Sequence, residues 1–432
     1  MPSENKVVYT AMVADFWHPG HQNILDKSKK LGKVIVGLLT DEAVISYKRV
    51  PVLSFEQRKS LIEDKKGIWK VVPQKTLDYT ENLKKYKPDF VTNGDDWKTG
   101  IQKETRKKVI ETLAEWGGKL IEIPYTRGIS SSLIIEDFRR NGITPEQRRN
   151  MLRRLINVKP IVRVIEAHGG LSALVAENAN YEGESFDAIW ESSFTDSSSK
   201  GKPDIELVDF TSRVHTIEEI LEVTTKPIIV DGDTGGQIEH FRWMVRTLER
   251  LGVSAIIIED KQFPKRNSLM KKAKHIQEST KKFCEKIEAG KKATITQDFM
   301  IFARIESLIA GAGLDDALYR ARQYIKAGAD GIMIHSKKQD PEEILRFCLK
   351  YQRFKNKVPL IAVPTTYNTI TEDVLKTFGV SIVIYANHLL RSSYKSMSKT
   401  AENLLKFKRG FESEEFCTPV KEIFELTNKE VL

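Results

Sequence analysis

The chain has 432 residues, with 69 Lys and Arg against 59 Asp and Glu, a formal net charge of +10, and 40% hydrophobic residues. That length exceeds one ordinary core, so two or more domains are expected, with the composition of a soluble globular protein. No apolar run reaches the roughly 18 residues of a membrane-spanning helix. Only three cysteines occur, Cys284, Cys348 and Cys417, without metal-ligand spacing. Met1–Lys6 leads straight into a strand-like Val7-Val8-Tyr9 without a signal peptide's apolar region, so a reducing, cytoplasmic setting is expected. The basic excess is mostly Lys on helix-like stretches such as Lys271-Lys272-Ala273-Lys274, with no aromatic-interleaved basic motif, so neither nucleic acid nor membrane is expected as a partner.

From the N-terminus, strand patterns at 6–9, 33–39, 68–72, 89–93 and 119–123 alternate with helical patterns at 23–31, 55–64, 77–86 and 103–116. Such alternation predicts a Rossmann-like parallel sheet covered by helices, with ligands at the carboxyl ends of strands where the order reverses. The first of these loops carries Asp15-Phe16-Trp17-His18-Pro19-Gly20-His21 and runs into a helix. Imidazoles beside helix-terminal amides suit a polyphosphate. Asn93-Gly94-Asp95-Asp96-Trp97 ends another strand, and Lys48 follows the second within reach of a phosphate. Gly128-Ile129-Ser130-Ser131-Ser132 opens a late helix after Tyr125-Thr126-Arg127.

Together these segments, over roughly residues 6–138, resemble the cytidylyltransferases that make CDP-alcohols. Their pattern is Asp-x-x-His-x-Gly-His, a Gly-Asp-Asp-Trp segment and a late Arg-Thr-x-Gly-Ile-Ser-Thr-Thr. The resemblance implies CTP bound by Asp15, His18, His21, Lys48, Asp95, Ser130 and Ser131. In that family His18 and His21 would stabilise the phosphate under attack, Lys48 would neutralise the triphosphate, and Ser130 and Ser131 would hold phosphates at a helix start. Met12 stands where the family has Gly, and Tyr125 where it has Arg.

Residues 138–157 are dense in arginine (Arg139, Arg140, Arg148, Arg149, Arg153, Arg154), and 141–158 is expected to be a solvated basic linker helix between a nucleotide-binding domain at 1–140 and a second domain at 159–432. Within the second, eight apolar strands at 162–167, 188–191, 227–230, 255–258, 300–305, 331–334, 359–363 and 381–385 each precede a helical stretch. Eight strand–helix units in about 250 residues predict a (β/α)8 barrel, whose chemistry lies where the strands end.

Those ends are polar. They carry Trp190-Glu191-Ser192-Ser193, Asp231-Gly232-Asp233-Thr234-Gly235-Gly236, Glu259-Asp260-Lys261-Gln262-Phe263-Pro264-Lys265-Arg266-Asn267-Ser268, Arg304 with Glu306, His335-Ser336-Lys337-Lys338, and Asn387-His388. Asp231, Asp233 and Glu259 form an all-oxygen set that suits Mg²⁺ and not zinc. Arg304 can fork onto a phosphoryl or carboxylate group, and His335 can donate to the same anion.

Glu-Asp-Lys-x-Phe-Pro-Lys-x-Asn-Ser, Asp-x-Asp-Thr-Gly and Ala-Arg-Ile-Glu, with Gly169-Gly170-Leu171-Ser172-Ala173, resemble phosphoenolpyruvate mutase of the isocitrate lyase superfamily. The resemblance implies that Trp190, Ser192, Ser193 and Ser268 line the substrate pocket and that Lys265 and Asn267 sit on a loop closing over it. It implies too that Arg304 and His335 hold the migrating phosphoryl group with Asp204 close by. The superfamily's lyases carry a Cys in a Lys-Lys-Cys-Gly-His loop, which is missing here. Related phosphonopyruvate hydrolases usually lack the loop Asn, so Asn267 favours a mutase. Gly236, where Tyr is common, and the insertion-like Ser197–Gly201 depart from the pattern.

The implied chain joins interconversion of phosphoenolpyruvate and phosphonopyruvate to CMP transfer from CTP onto a small phosphonate or phosphate. A homo-dimer or tetramer through the barrel is implied by the superfamily's habit. The alternative is a phosphonopyruvate hydrolase-type barrel with a non-catalytic N-terminal binding or assembly domain.

Overall fold

The computed structural model describes residues 6–47, 50–98, 102–124, 143–270 and 274–427, which fall into two compact units, Met1–Asn141 and Gly142–Leu432. The expectations for Lys48, Ser130 and Ser131 lie outside the described residues.

The first unit is a five-stranded sheet in the order β3-β2-β1-β4-β5, with β1 Val7–Met12, β2 Lys33–Leu39, β3 Ile68–Gln74, β4 Phe90–Gly94 and β5 Lys119–Ile123. Every pairing is parallel, as in Val8 against Val34 and Val8 against Phe90. Alternation along β1 feeds two cores: Val8 and Met12 pack with Val34, Val36 and Leu25, while Tyr9 and Ala11 pack with Ile35, Val91 and Trp97. The order reverses between β1 and β4, which places the crevice for a ligand beyond Met12 and Gly94.

In the second unit, β6 Val162–Ala167, β9 Ala188–Glu191, β10 Ile228–Asp231, β11 Ala255–Glu259, β12 Met300–Ile305, β13 Gly331–Ile334, β14 Leu360–Ala362 and β15 Ile382–Tyr385 close an eight-stranded parallel barrel. A small hairpin, β7 Asn180–Tyr181 with β8 Glu184–Ser185, lies outside it. The strands read as continuous apolar runs because both faces are covered. Ile256, Ile301, Ile332 and Ile361 are all 0% exposed.

The basic segment differs from expectation. The helix Pro145–Val158 is opened by a Thr144–Gln147 capping box, and it belongs to the second unit. Arg148 Nη2 donates to the carbonyls of Leu221 and Thr224 at 3.1 and 2.7 Å, and Arg149 Nη1 to Glu249 O at 2.6 Å. Ser254 Oγ donates back to Arg148 O at 2.8 Å, and Arg153 reaches Gln297 O. Thr224, Ser254 and Gln297 lie one to four residues before β10, β11 and β12, so the helix lies against the end of the barrel opposite the polar strand ends. Arginine suits this place because a buried fork can satisfy several backbone carbonyls that would otherwise be orphaned.

Candidate active site

At the carboxyl ends of the barrel strands, the polar cluster resolves into two charge networks that meet at Glu259. Lys265 is 4% exposed. Its Nζ lies 2.6 Å from Asp233 Oδ1 and 3.2 Å from Asp204 Oδ1, and donates to Ser193 Oγ at 2.8 Å. Burial opposes its charge, but the attraction of Asp233, Glu259 and Asp204 outweighs this and holds its pKa well above the ordinary lysine value. The same loop is tied down by Glu206, which accepts from Lys265 N at 2.7 Å and from Thr234 N at 3.0 Å. Asn267 Nδ2 donates to Asp204 Oδ2 at 2.5 Å. Asp204, Lys265 and Asn267 are therefore neighbours, although 60 residues separate the first two in sequence.

The second network surrounds Glu306, which directly follows β12 and is 0% exposed. Arg304 reaches it through Nε, while its Nη2 lies 3.2 Å from Glu259 Oε2 and donates to Ser268 Oγ at 3.0 Å. Lys261 Nζ lies 3.0 Å from Glu306, and Ser268 Oγ donates to it at 2.7 Å. Burial works against Glu306's charge, yet Arg304, His335 and Lys261 together hold its pKa well below the usual carboxylate range. His335 Nδ1 is 2.8 Å from both Glu306 Oε1 and Arg304 Nη2. Burial and then Arg304 lower its pKa, so the ring is neutral at pH 7. A neutral ring cannot bond both neighbours through one nitrogen. Its proton sits on Nδ1 when it donates to Glu306, and on Nε2 when Nδ1 accepts from Arg304.

Behind this layer, Asp260 accepts from Glu306 N at 2.8 Å and from Tyr324 Oη at 2.7 Å, and pairs with Arg320 at 3.1 Å. Its pKa is raised, because burial outweighs Arg320. Asp260 thus fixes the backbone that carries Glu306 and does not face the pocket chemistry.

Asp231, Asp233 and Glu259, expected to hold a metal, all end up buried at this mouth. Among the described residues no three His, Cys, Asp or Glu side chains form a ready cage for an ion. Ser193 Oγ donates to Asp231 Oδ2 at 2.9 Å, and Asp233 is shared between Lys265 and Arg213. The donor chemistry still suits a hard cation: the Glu259 oxygens accept no hydrogen bond, and Asp233 Oδ1 meets only the Lys265 ammonium, so cations are what these buried oxygens face. Mg²⁺ takes one or two carboxylates and completes its shell with water and substrate oxygens. Burial would raise the pKa of Asp233, but Arg213 and then Lys265 hold it at about 2, so it stays ionised.

Ser192 Oγ accepts from Thr195 N, capping the helix Ser193–Ser199, and Trp190 is 2% exposed within β9. Glu206, Lys261, Glu306 and Arg213 were not among the expected site residues. Lys261 and Glu306 sit in the polar runs at strand ends and could have been singled out there. Glu206 and Arg213 come from a loop and from the first turn of a helix, where no local pattern marks them.

In the first unit, His18 is the N-cap of the helix Pro19–Lys29, its Nδ1 accepting from Gly20 N at 3.1 Å. That bond leaves the neutral ring's proton on Nε2, and burial lowers the pKa. The His18 and His21 rings lie 4.0 Å apart, with Trp17 stacked on His21. The two oxygens of Asp15 accept from Val52 N and Leu53 N, both at 2.8 Å, tethering a loop beside the histidines. Asp95 opens the short helix Asp95–Lys98, anchored by Trp97 Nε1 donating to Glu122.

Comparison with known proteins agrees with both halves. The model of the family described as phosphoenolpyruvate phosphomutase matches residues 152–405, and that described as cytidylyltransferase-like matches 13–137. The chain is 36% identical to phosphoenolpyruvate phosphomutase of Tetrahymena pyriformis over 65% of its own length and 91% of that protein. It is 35% identical to phosphonopyruvate hydrolase of a Variovorax strain over 65% of its length and 94% of that protein. Among solved structures, phosphoenolpyruvate phosphomutase from Streptomyces platensis superposes with a TM-score of 0.61 at 38% identity, covering 65% of this chain and 95% of that one. A phosphonopyruvate hydrolase in complex with oxalate and Mg²⁺ gives 0.59 at 33%, covering 67% and 96%. Joined to an N-terminal cytidylyltransferase-like unit, this chain belongs to the phosphoenolpyruvate phosphomutase family.

Proposed function

We propose that the barrel interconverts phosphoenolpyruvate and 3-phosphonopyruvate and that the N-terminal unit transfers CMP from CTP to a small phosphonate or phosphate. The observation that carries the first reading is the hydrogen bond from Asn267 to Asp204 beside Lys265, which draws the 265–268 segment across the strand ends. Arg304 with His335 receives the phosphoryl group, and Ser192 and Ser193 offer backbone N–H groups to the substrate anion. The P–O bond to the enol oxygen breaks, the pyruvate enolate turns its methylene carbon toward phosphorus, and a P–C bond forms. A loosely bonded phosphoryl group in flight must be kept from water, which is the part taken by Asn267 and its loop. Mg²⁺ held by Asp231, Asp233 and Glu259, directly or through water, would supply positive charge to the enolate and phosphoryl oxygens. Phosphorus NMR of the purified chain with phosphoenolpyruvate or phosphonopyruvate tests this. Interconversion is expected, whereas phosphate and pyruvate alone would establish the hydrolase reading that the Variovorax relative supports.

The second reading rests on the His18 cap and the paired imidazoles at the sheet's reversal point. A phosphoryl centre there would face a helix N-terminus and two ring donors, which is charge neutralisation and positioning rather than covalent catalysis. CTP with a panel of phosphonates is expected to release pyrophosphate, and silence across the panel would refute it. The barrel is also proposed to pair with a second copy: the helix His388–Phe407 exposes Tyr394, Met397 and Leu405 at 70, 61 and 80%.

A further inference from the structure

The turn after β10 is strained. Asp233 has φ +53, a left-handed conformation uncommon for a residue with a side chain. Beside the hydrogen bonds from Glu259 N to Asp233 O at 2.8 Å and from Asp233 N to Asp231 Oδ1 at 3.1 Å, it is held by Arg213, in the first turn of the helix Phe210–Val223. Its Nη1 donates to the backbone carbonyl of Asp231 and lies 2.8 Å from Asp233 Oδ2. One guanidinium nitrogen thus bridges the two sides of Gly232. Gly232 itself has no room for a side chain, because a Cβ there would meet Ile256 Cδ1 at 2.6 Å.

Behind the turn, Arg213 meets two buried carboxyl groups. Its Nε faces Glu191 Oε1 at 3.9 Å and Asp196 Oδ2 at 3.8 Å, and both are 0% exposed. Asp196 is steadied in turn by Lys200 and by Thr216 Oγ1 at 2.7 Å. With Oδ2 of Asp233 taken by Arg213, the other oxygen, Oδ1, is left toward Lys265 and the mouth of the barrel.

We propose that Arg213 is a positioning residue of the barrel site. It clamps the Asp231–Asp233 turn and divides the work of the two Asp233 oxygens, so that Oδ1 faces the place of a divalent cation. Asp196 flanks the guanidinium on its far side. The inference rests on the reading of the barrel as a cation-dependent enzyme, and two physical effects pull its consequence in opposite directions. A bare charge argument says that removing a cation beside Asp233 tightens metal binding. A positioning role says that binding weakens, since the oxygen loses its orientation, and loss of such a supporting partner costs about 10–100-fold in metal affinity.

The test is Mn²⁺ titration of the metal-stripped full chain, read by the electron paramagnetic resonance of free Mn²⁺. Arg213→Met is expected to bind Mn²⁺ at least about tenfold more weakly than wild type with unchanged circular dichroism, and Arg213→Lys to recover part of the loss. Its Mn²⁺ activation constant is expected to rise more than the KM for phosphoenolpyruvate. Unchanged or tighter Mn²⁺ binding by Arg213→Met overturns the proposal, as does a wild-type chain that binds no Mn²⁺. Should Arg213→Met fail to fold, Arg213→Lys and Asp196→Asn decide: weaker binding in both supports the proposal, and wild-type affinity in either overturns it. A wild-type chain that binds Mn²⁺ yet forms no phosphonopyruvate refutes the mutase reading alone, because the binding measurement still judges Arg213.

Discussion

Asn267 has one amide and two tasks. Its Nδ2 holds Asp204, while its Oδ1 accepts from Leu269 N at 2.9 Å and keeps its own loop folded. Alanine removes both bonds at once, freeing Asp204 and loosening the segment that shields the reacting phosphoryl group. Asn267→Ala is therefore expected to lower kcat/KM for phosphoenolpyruvate by about 10–100-fold, equivalent to roughly 1.4–2.8 kcal/mol of transition-state stabilisation. The share of substrate ending as pyruvate and phosphate should rise as well. Phosphorus NMR measures both, and an unaltered ratio of transfer to hydrolysis would sink the shielding role. Lys265, Asn267 and His335 were legible in the sequence because each stands beyond an apolar strand, and Arg304 because it is a charge near the end of one, where a polar residue has no packing reason to be. Arg213 and Glu206 were not, since they reach the site from a helix and a loop through long side chains. Glu191 was visible at a strand end, but not its condition: burial pushes its carboxyl up to about 8.

At the scale of elements, two anchors separate stability from chemistry. Glu122 on β5 accepts from Trp97 Nε1 at 3.0 Å and from Arg106 at 2.9 and 3.2 Å, so it fixes the turn that carries Asp95. The hydrogen bond from Arg106 is the largest reason its pKa falls to about 2. A carboxylate with a depressed folded-state pKa stabilises above its ordinary value of 4.5, and that contribution is lost as pH falls toward 2. Glu122→Gln keeps the shape and an acceptor for Trp97 but removes the charge. After solvent screening, the variant should be less stable than wild type by on the order of 1–2 kcal/mol at pH 7. The gap should close between pH 4.5 and 2, and a gap in urea unfolding that stays constant across that range contradicts the assignment. The helix Pro145–Val158 is the second anchor. Arg148→Met strips the carbonyls of Leu221 and Thr224 of their donor, which should cost about 2–4 kcal/mol of stability. It should leave kcat/KM within about twofold, because this end of a barrel carries structure rather than catalysis. A larger loss of activity in folded Arg148→Met refutes that division. The sequence displayed this helix and its arginines plainly. Their burial could not be read, because a basic helix that caps backbone carbonyls has the same composition as one lying in solvent.

For the whole molecule, the eight barrel strands were legible almost to the residue, as long apolar runs with both faces covered permit few other readings. The strands of the first sheet were equally plain, whereas their order β3-β2-β1-β4-β5, with its reversal at β1, is a finding of the structure. Each unit buries its own apolar residues: Ile228, Ile256, Ile301 and Ile332 in one, Tyr9, Ile35, Val91 and Trp97 in the other. Each unit therefore has a core of its own. Under the proposed function, the two chemistries then need not share a rate. His18→Ala combined with His21→Ala removes the helix cap and both imidazoles, costing about 1 kcal/mol locally for the cap. Pyrophosphate release from CTP should fall by at least about 100-fold, the scale of losing donors at a developing charge. Interconversion of phosphoenolpyruvate and phosphonopyruvate by the same preparation should remain within about twofold, because no barrel group changes. A scaffold role for the N-terminal unit predicts the reverse pattern, with mutase rate or assembly altered and no CTP-dependent reaction to lose. Measuring both activities and the solution mass on one sample of the double variant separates the two accounts.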